Sequence, residues 1–162
     1  MGSGAVFAYE ALVRGADGQS AGEVLASVDA DIIYKFDQTC RVKAIKLAGR
    51  LFPPDDATKL SINIMPNAVY EPDACIRASL TAAHRVGFDP QRLMFEFTED
   101  ERMREVAHVR RIIDAYQARG FTTAIDDFGA GYAGLGLLAD LQRPVIRHGQ
   151  RIADRQVGRP AV

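Results

Sequence analysis

The chain is short of several things, and each shortage removes a class of function. Two cysteines, Cys40 and Cys75, occur in 162 residues. Both fall in helical patterns, so no disulfide framework is implied. The net charge is only −1, which gives no pull toward a nucleic-acid polymer or an anionic membrane. Any phosphate-bearing ligand has to be held by local groups instead. The longest apolar runs are strand-sized, so no segment spans a bilayer and no membrane insertion is expected. The opening "MGSGAV" lacks a basic stretch followed by an apolar one; a secretory leader is not expected, and a reducing cytoplasm is the expected compartment. No serine or cysteine sits in a nucleophile elbow, and "GAGYAG" has neither the spacing nor the context of a P-loop or dinucleotide fingerprint. Fixed-period repeats and low-complexity tracts are also missing.

What is present fits one well-cored domain. Apolar residues make up 48% and charged residues 25%, a globular balance, and the length argues against two domains. The segments "VFAYEAL", "KLSINIM", "RLMFEFT" and "FTTAIDD" are β-branched or aromatic enough to predict strands, with "PVIR" as a weaker fifth. Helical patterns lie between them. The first sets Ile33, Phe36, Cys40, Ala44 and Leu47 on one stripe. The second opens "EPD", with Pro72 suited to a first turn, and closes before Gly87. The third has Thr98 and Glu101 at capping-box spacing, continues through Met103, Val106, Ile113 and Tyr116, and stops at Gly120. A shorter one, "AGLGLLADL", follows the glycine-rich loop.

Strand and helix in alternation signify a parallel α/β architecture. A closed (β/α) barrel needs roughly 250 residues, so the chain fits either a piece of a barrel or an open doubly wound sheet. Residues 1–142 read as the folded part. Residues 143–162 read as an irregular tail, where glycine and proline return and apolar periodicity fades.

Polar residues interrupt the strands at telling places. Glu10 follows "FAY", Asn63 lies in "SINIM", Glu96 in "MFEF", and Asp126 and Asp127 end "AIDD". Each strand thus carries an oxygen-bearing side chain near its C-terminal end, the end at which ligands and catalysts gather in parallel α/β folds. Five such groups converging on one rim repel one another unless a cation compensates them. Carboxylate and amide oxygens suit Mg²⁺ or Mn²⁺ rather than zinc, and adjacent aspartates can serve two different ions. Taken singly, each carboxylate also reads as a helix cap or turn former, and Asn63 as a satisfied buried amide. Arg14 reads as a phosphate ligand or as a surface ion pair. Glu99 fits a cap; His84 and His108 fit packed or solvated histidines, and His148 lies in the tail.

The segments "YEALVRG", "SINIMPNAVYEP", "LMFEFTE" and "AIDDFGAGYAGL", in this order from about Phe7 to Leu141, resemble the EAL domain family of cyclic di-GMP phosphodiesterases. The phrasing is nearest to the branch joined to blue-light-sensing flavin domains. The resemblance implies a partial TIM-like barrel of mainly parallel strands, clipped at both ends, from a family whose barrel has one strand reversed. It also implies hydrolysis of cyclic di-GMP (c-di-GMP) to pGpG with two Mg²⁺ or Mn²⁺ ions. By motif, Glu10, Asn63, Glu96, Asp126 and Asp127 stand at metal-ligand positions, with Asp126 as the bridging carboxylate; Glu10, Asp126 and Asp127 stand at catalytic positions. Arg14 stands at the substrate-phosphate arginine, and the loop after Asp127 at a segment coupling homodimerisation to the site.

Departures from the family pattern qualify the activity. Where the family has a lysine and then an aspartate, this chain reads "RPVIRHGQ", with Arg147 at the lysine and Gly149 at the aspartate. Arginine does not share a proton near neutral pH as a lysine can. A further glutamate and glutamine of the family come from later strands. Turnover is therefore expected to be weak or absent, and the alternative is a catalytically degenerate c-di-GMP-binding or protein-interaction regulatory module. The tail itself is expected to stem from a single-nucleotide frameshift, since codons for "RHGQRIAD" read one nucleotide out of frame can yield "GMDSALLT". A coding sequence with no family-like continuation in either alternative frame contradicts this.

Overall fold

The computed structural model describes residues 6–66, 69, 71–98, 106–126 and 145–146. The start of the third expected helix, the "AGLGLLADL" helix, and the tail apart from Val145 and Ile146 lie outside the described residues.

Among the described residues, strands β1 (Ala8–Ala11), β2 (Lys59–Ile64), β3 (Leu93–Thr98), β4 (Thr122–Asp126) and β5 (Val145–Ile146) form one sheet. Helices α1 (Ala21–Ala26) and α2 (Ile33–Leu51) join β1 to β2, α3 (Pro72–Arg85) joins β2 to β3, and α4 (Val106–Gln117) joins β3 to β4. Every neighbouring pair is parallel, and the strand order follows the chain, β1-β2-β3-β4-β5. Parallel crossovers are right-handed, so a sheet built in chain order puts all its helices on one face. A doubly wound sheet instead reverses its order at a switch point. No reversal occurs here, and the architecture is a partial TIM-like barrel.

The core confirms that one-sidedness. Leu60, Ile62 and Ile64 of β2 and Leu93, Phe95 and Phe97 of β3 pack in a single cluster with Ile45, Ile76, Ile112 and Tyr116 of the helices. The intervening residues point the other way, where Ala8, Met94 and Ala124 form a second, smaller cluster. At the N-terminal end of the strands, the buried Arg92 closes the packing. Its Nε donates to Thr58 O at 3.0 Å, and its guanidinium lies 4.9 Å from the Phe88 ring centroid. No helix among the described residues is long and apolar enough to cross a membrane.

Helix ends follow local chemistry. Pro72 opens α3, and Gly87 (φ 67°) and Gly120 (φ 80°) take the left-handed conformation just beyond α3 and α4, as the spacing predicts. The short α1 was not among the helices expected from periodicity. It is set by a capping box, in which Ser20 N donates to Glu23 Oε2 at 2.7 Å and Glu23 N donates to Ser20 Oγ at 3.3 Å. None of its residues is buried.

Helix α2 is turned differently from its apolar pattern. The expected inward stripe ran through Ile33, Phe36, Cys40, Ala44 and Leu47, yet the buried residues are Asp37, Arg41, Ile45 and Ala48, while Leu47 is 45% exposed. The cause is a compensated charge pair: Arg41 Nη2 lies 2.9 Å from Asp37 Oδ2, and Arg41 Nη1 donates to Cys75 O at 3.5 Å. Burial is tolerable for charges only when they are paired in this way. Phe36, Cys40, Ala44 and Leu47 instead line a cleft beside β1.

Candidate functional site

Sheet register decides which polar side chains can meet. Paired residues of parallel strands share a face, and successive layers along a strand lie about 6.6 Å apart, two residues on. Glu10 is in register with Ser61, Asn63 with Glu96, and Glu96 with Ala124; Thr98 is in register with Asp126. Glu10, Asn63 and Glu96 therefore occupy the face turned away from the helices, near the C-terminal ends of β1, β2 and β3. Asp126 ends β4 at the corresponding level of the backbone. Asp127, and the loop after it that carries the expected dimer contact, lie outside the described residues.

Glu10 and Asn63 are diagonal neighbours, and their side chains bridge the offset. Asn63 Nδ2 donates to Glu10 Oε1 at 2.7 Å. That bond fixes the amide and turns its oxygen elsewhere. Asn63 Oδ1 is buried and has no hydrogen-bond partner among the described residues, a costly state for an acceptor unless a ligand completes it. Glu96 is wholly buried beside it in the sheet, at 0% exposure. A buried carboxylate next to an acceptor oxygen and a second carboxylate is a donor set for a hard cation.

Two carboxylates and an amide fit Mg²⁺ or Mn²⁺ by chemistry. Among the described residues, no three His, Cys, Asp or Glu side chains gather closely enough to hold a metal by themselves. The third donor from these strands is an amide; the side chains of the aspartate doublet, Asp126 and Asp127, lie outside the described part of the structure.

Arg14 follows β1 and is exposed; its Nη1 donates to its neighbour Val13 O at 2.8 Å. It forms no ion pair among the described residues. A cleft of about 670 Å³ joins Arg14 and Glu10 to Asn63, and Leu25 of α1 and Phe36 of α2 give it an apolar wall. Of the histidines read as packed or solvated, His84 is exposed on α3. His108 is half-buried on α4, with Nε2 2.7 Å from Val69 O. Glu99, Arg147, His148 and Gly149 lie outside the described residues.

These features define a class: a singly wound parallel α/β barrel segment whose C-terminal rim gathers oxygen donors of the hard-cation type. Comparison with known proteins sharpens it. The EAL domain model matches residues 1–160, and the chain belongs to the EAL domain family. A standalone EAL protein from Vibrio cholerae O395, solved in its c-di-GMP-bound form, is 54% identical at a TM-score of 0.77, over 86% of this chain and 58% of that one. Klebsiella pneumoniae BlrP1, solved as a manganese/cy-diGMP complex, is 34% identical at a TM-score of 0.71, over 82% of this chain and 33% of that one. The blue light- and temperature-regulated antirepressor BluF of Escherichia coli K12 is 34% identical over 149 residues, which are 91% of this chain and 36% of BluF. The chain thus spans between a third and three-fifths of these relatives.

Proposed function

We propose that this chain is a c-di-GMP phosphodiesterase-type domain that binds c-di-GMP on its C-terminal rim together with two Mg²⁺ or Mn²⁺ ions, and that it hydrolyses the nucleotide slowly to pGpG. The observation that carries the reading is the buried Asn63 Oδ1 beside Glu10 and Glu96, an acceptor with no hydrogen-bond partner among the described residues. Relatives solved with c-di-GMP, one of them with manganese, support the same ligand set. Glu10, Asn63, Glu96, Asp126 and Asp127 would hold the cations, whose contribution when bound is to activate water and neutralise charge on the phosphodiester. The Asn63–Glu10 hydrogen bond keeps both ligands oriented, and the exposed Arg14 guanidinium on the same cleft would hold a substrate phosphate. Arg147 at the family's lysine position is the reason for slow turnover. The free Cys40 and Cys75 suit the cytoplasm, and self-association through the loop after Asp127 belongs to the same proposal.

A second reading, binding without turnover in a regulatory module, is favoured by Arg147 and by the antirepressor relative. Calorimetry and a pGpG assay, both with Mn²⁺, separate the two. Binding with turnover supports the enzyme, binding alone supports the regulatory module, and absence of binding sinks both. Arg14→Ala is expected to weaken c-di-GMP binding by about 10- to 100-fold, the loss of a charge-assisted phosphate contact worth roughly 1.5–3 kcal/mol, while Mn²⁺ binding stays unchanged.

A further inference from the structure

The rim chemistry makes no use of the one buried ion pair of α2. Asp37 and Arg41 are 4% and 0% exposed and lie 2.9 Å apart. Such a pair does not explain itself by stability, because apolar residues of similar volume usually serve as well or better. Its contacts suggest another role. The Asp37 carboxyl lies close enough to Met65, the residue just beyond β2 and two after Asn63, for that backbone N–H to hold its pKa down against burial. Asp37, Met65, Asn63 and Glu10 line the same cleft. Arg41 in turn reaches Cys75 O at the start of α3. Four residues past Met65, Val69 O meets His108 Nε2 at 2.7 Å, while His108 Nδ1 faces Arg111 Nη2 at 3.3 Å. Beyond β2 the chain therefore meets α2 at Met65, across the cleft, and α4 at Val69.

We propose that Asp37, braced by Arg41, and His108 are positioning residues that hold the exit of β2, so that Asn63 presents its amide oxygen to the rim at a fixed place and angle. This rests on the reading of the rim as a divalent-cation site. The reason is geometric: a ligand on the last turn of a strand is only as well placed as the backbone that follows it, and displacements near 1 Å at a reactive centre cost on the order of 100-fold.

The test compares Asp37→Leu/Arg41→Met, which fills the space but removes the carboxylate that lines the cleft with Met65, with Asp37→Asn/Arg41→Met, which keeps an acceptor oxygen there. Amide exchange at Met65 and the Mn²⁺ dissociation constant are read on the full chain. The Leu/Met variant is expected to unfold cooperatively at an unchanged midpoint, exchange Met65 at least ~10-fold faster, and bind Mn²⁺ about 10- to 100-fold more weakly, the range for groups that orient metal ligands. The Asn/Met variant is expected to restore both to near wild type. Unchanged Mn²⁺ affinity in the Leu/Met variant, or unchanged Met65 exchange, overturns the proposal. If that variant does not unfold cooperatively, His108→Leu frees the far end of the segment from a half-buried position: weakened Mn²⁺ binding supports the proposal, and unaltered binding overturns it. A wild-type chain that takes up no Mn²⁺ removes the cation reading and the positioning role with it, whereas Met65 exchange still reports separately whether the tether exists.

Discussion

Arg41→Ala is expected to lower the stability of the fold by about 3–5 kcal/mol, the usual result of removing one partner of a buried ion pair. Against the roughly 5–15 kcal/mol that holds a domain of this size together, much of the population would lose cooperative unfolding at modest urea concentrations. The cost arises from what is left behind. Asp37 is 4% exposed, and burial already raises its carboxyl above the ordinary range, with Arg41 as the largest opposing influence. Burial likewise pushes the Tyr116 hydroxyl up to about 12, again with Arg41 opposing. Without the guanidinium, the Asp37 carboxylate would lose its ion-pair partner and the largest influence opposing burial.

The sign of the pH effect is diagnostic. A carboxyl whose pKa is raised in the folded state contributes stability that is full below its unfolded value and is lost as pH rises through the folded value. The variant should therefore recover relative to wild type on acidification. Chemical denaturation from neutral to acid pH measures this, and a variant deficit independent of pH would contradict the cause assigned to it. The exposed Arg119–Asp73 pair, at 2.6 Å with 36% and 56% of the side chains accessible, provides the control. Asp73→Ala is expected to change stability by no more than about 1 kcal/mol, because solvent screens it.

Glu96→Gln is expected to weaken Mn²⁺ binding by more than ~100-fold and to remove measurable pGpG formation. Groups that merely orient a metal ligand cost 10- to 100-fold when altered, and a direct ligand costs more. The substitution is nearly isosteric and keeps one acceptor oxygen at a site with 0% exposure. It takes away charge without opening a cavity, so thermal unfolding should remain cooperative. Asn63→Leu is the companion change: it removes the acceptor oxygen and also the 2.7 Å bond that orients Glu10. Its loss of Mn²⁺ affinity should be as large, and combining it with Glu10→Gln should add little, since the two residues act as one unit. Calorimetric titration with Mn²⁺ decides it, and affinities within threefold of wild type in both variants would remove these residues from the ligand set.

Strand positions and most helix stops were legible because local chemistry sets them: β-branched runs, Pro72 at a helix start, Gly87 and Gly120 where only glycine is comfortable. The rim was legible for a related reason. Glu10, Asn63 and Glu96 are polar residues within otherwise apolar strands, and such interruptions show in the linear pattern. The choice between a barrel segment and a doubly wound sheet was not, because it depends on strand order, a property of long-range pairing. The rotation of α2 was hidden as well, since apolar periodicity assigns Asp37 and Arg41 to solvent and cannot see that they neutralise each other. Helix α1 carried a readable signal, Ser20 and Glu23 at capping-box spacing, but its apolar pattern is too short to register. The Glu10–Asn63 bond required the register itself, in which Asn63 lies one layer beyond Ser61, the partner of Glu10.

The most direct measurement is anomalous scattering at the manganese edge from crystals of this chain grown with Mn²⁺ and c-di-GMP. Two peaks on the C-terminal rim, one or both within about 2.5 Å of oxygens of Glu10, Asn63 and Glu96, are the expected result for hard-cation coordination. Nucleotide bound with no anomalous peak near those three side chains, or manganese held elsewhere on the surface, would contradict the metal site on which the functional reading stands.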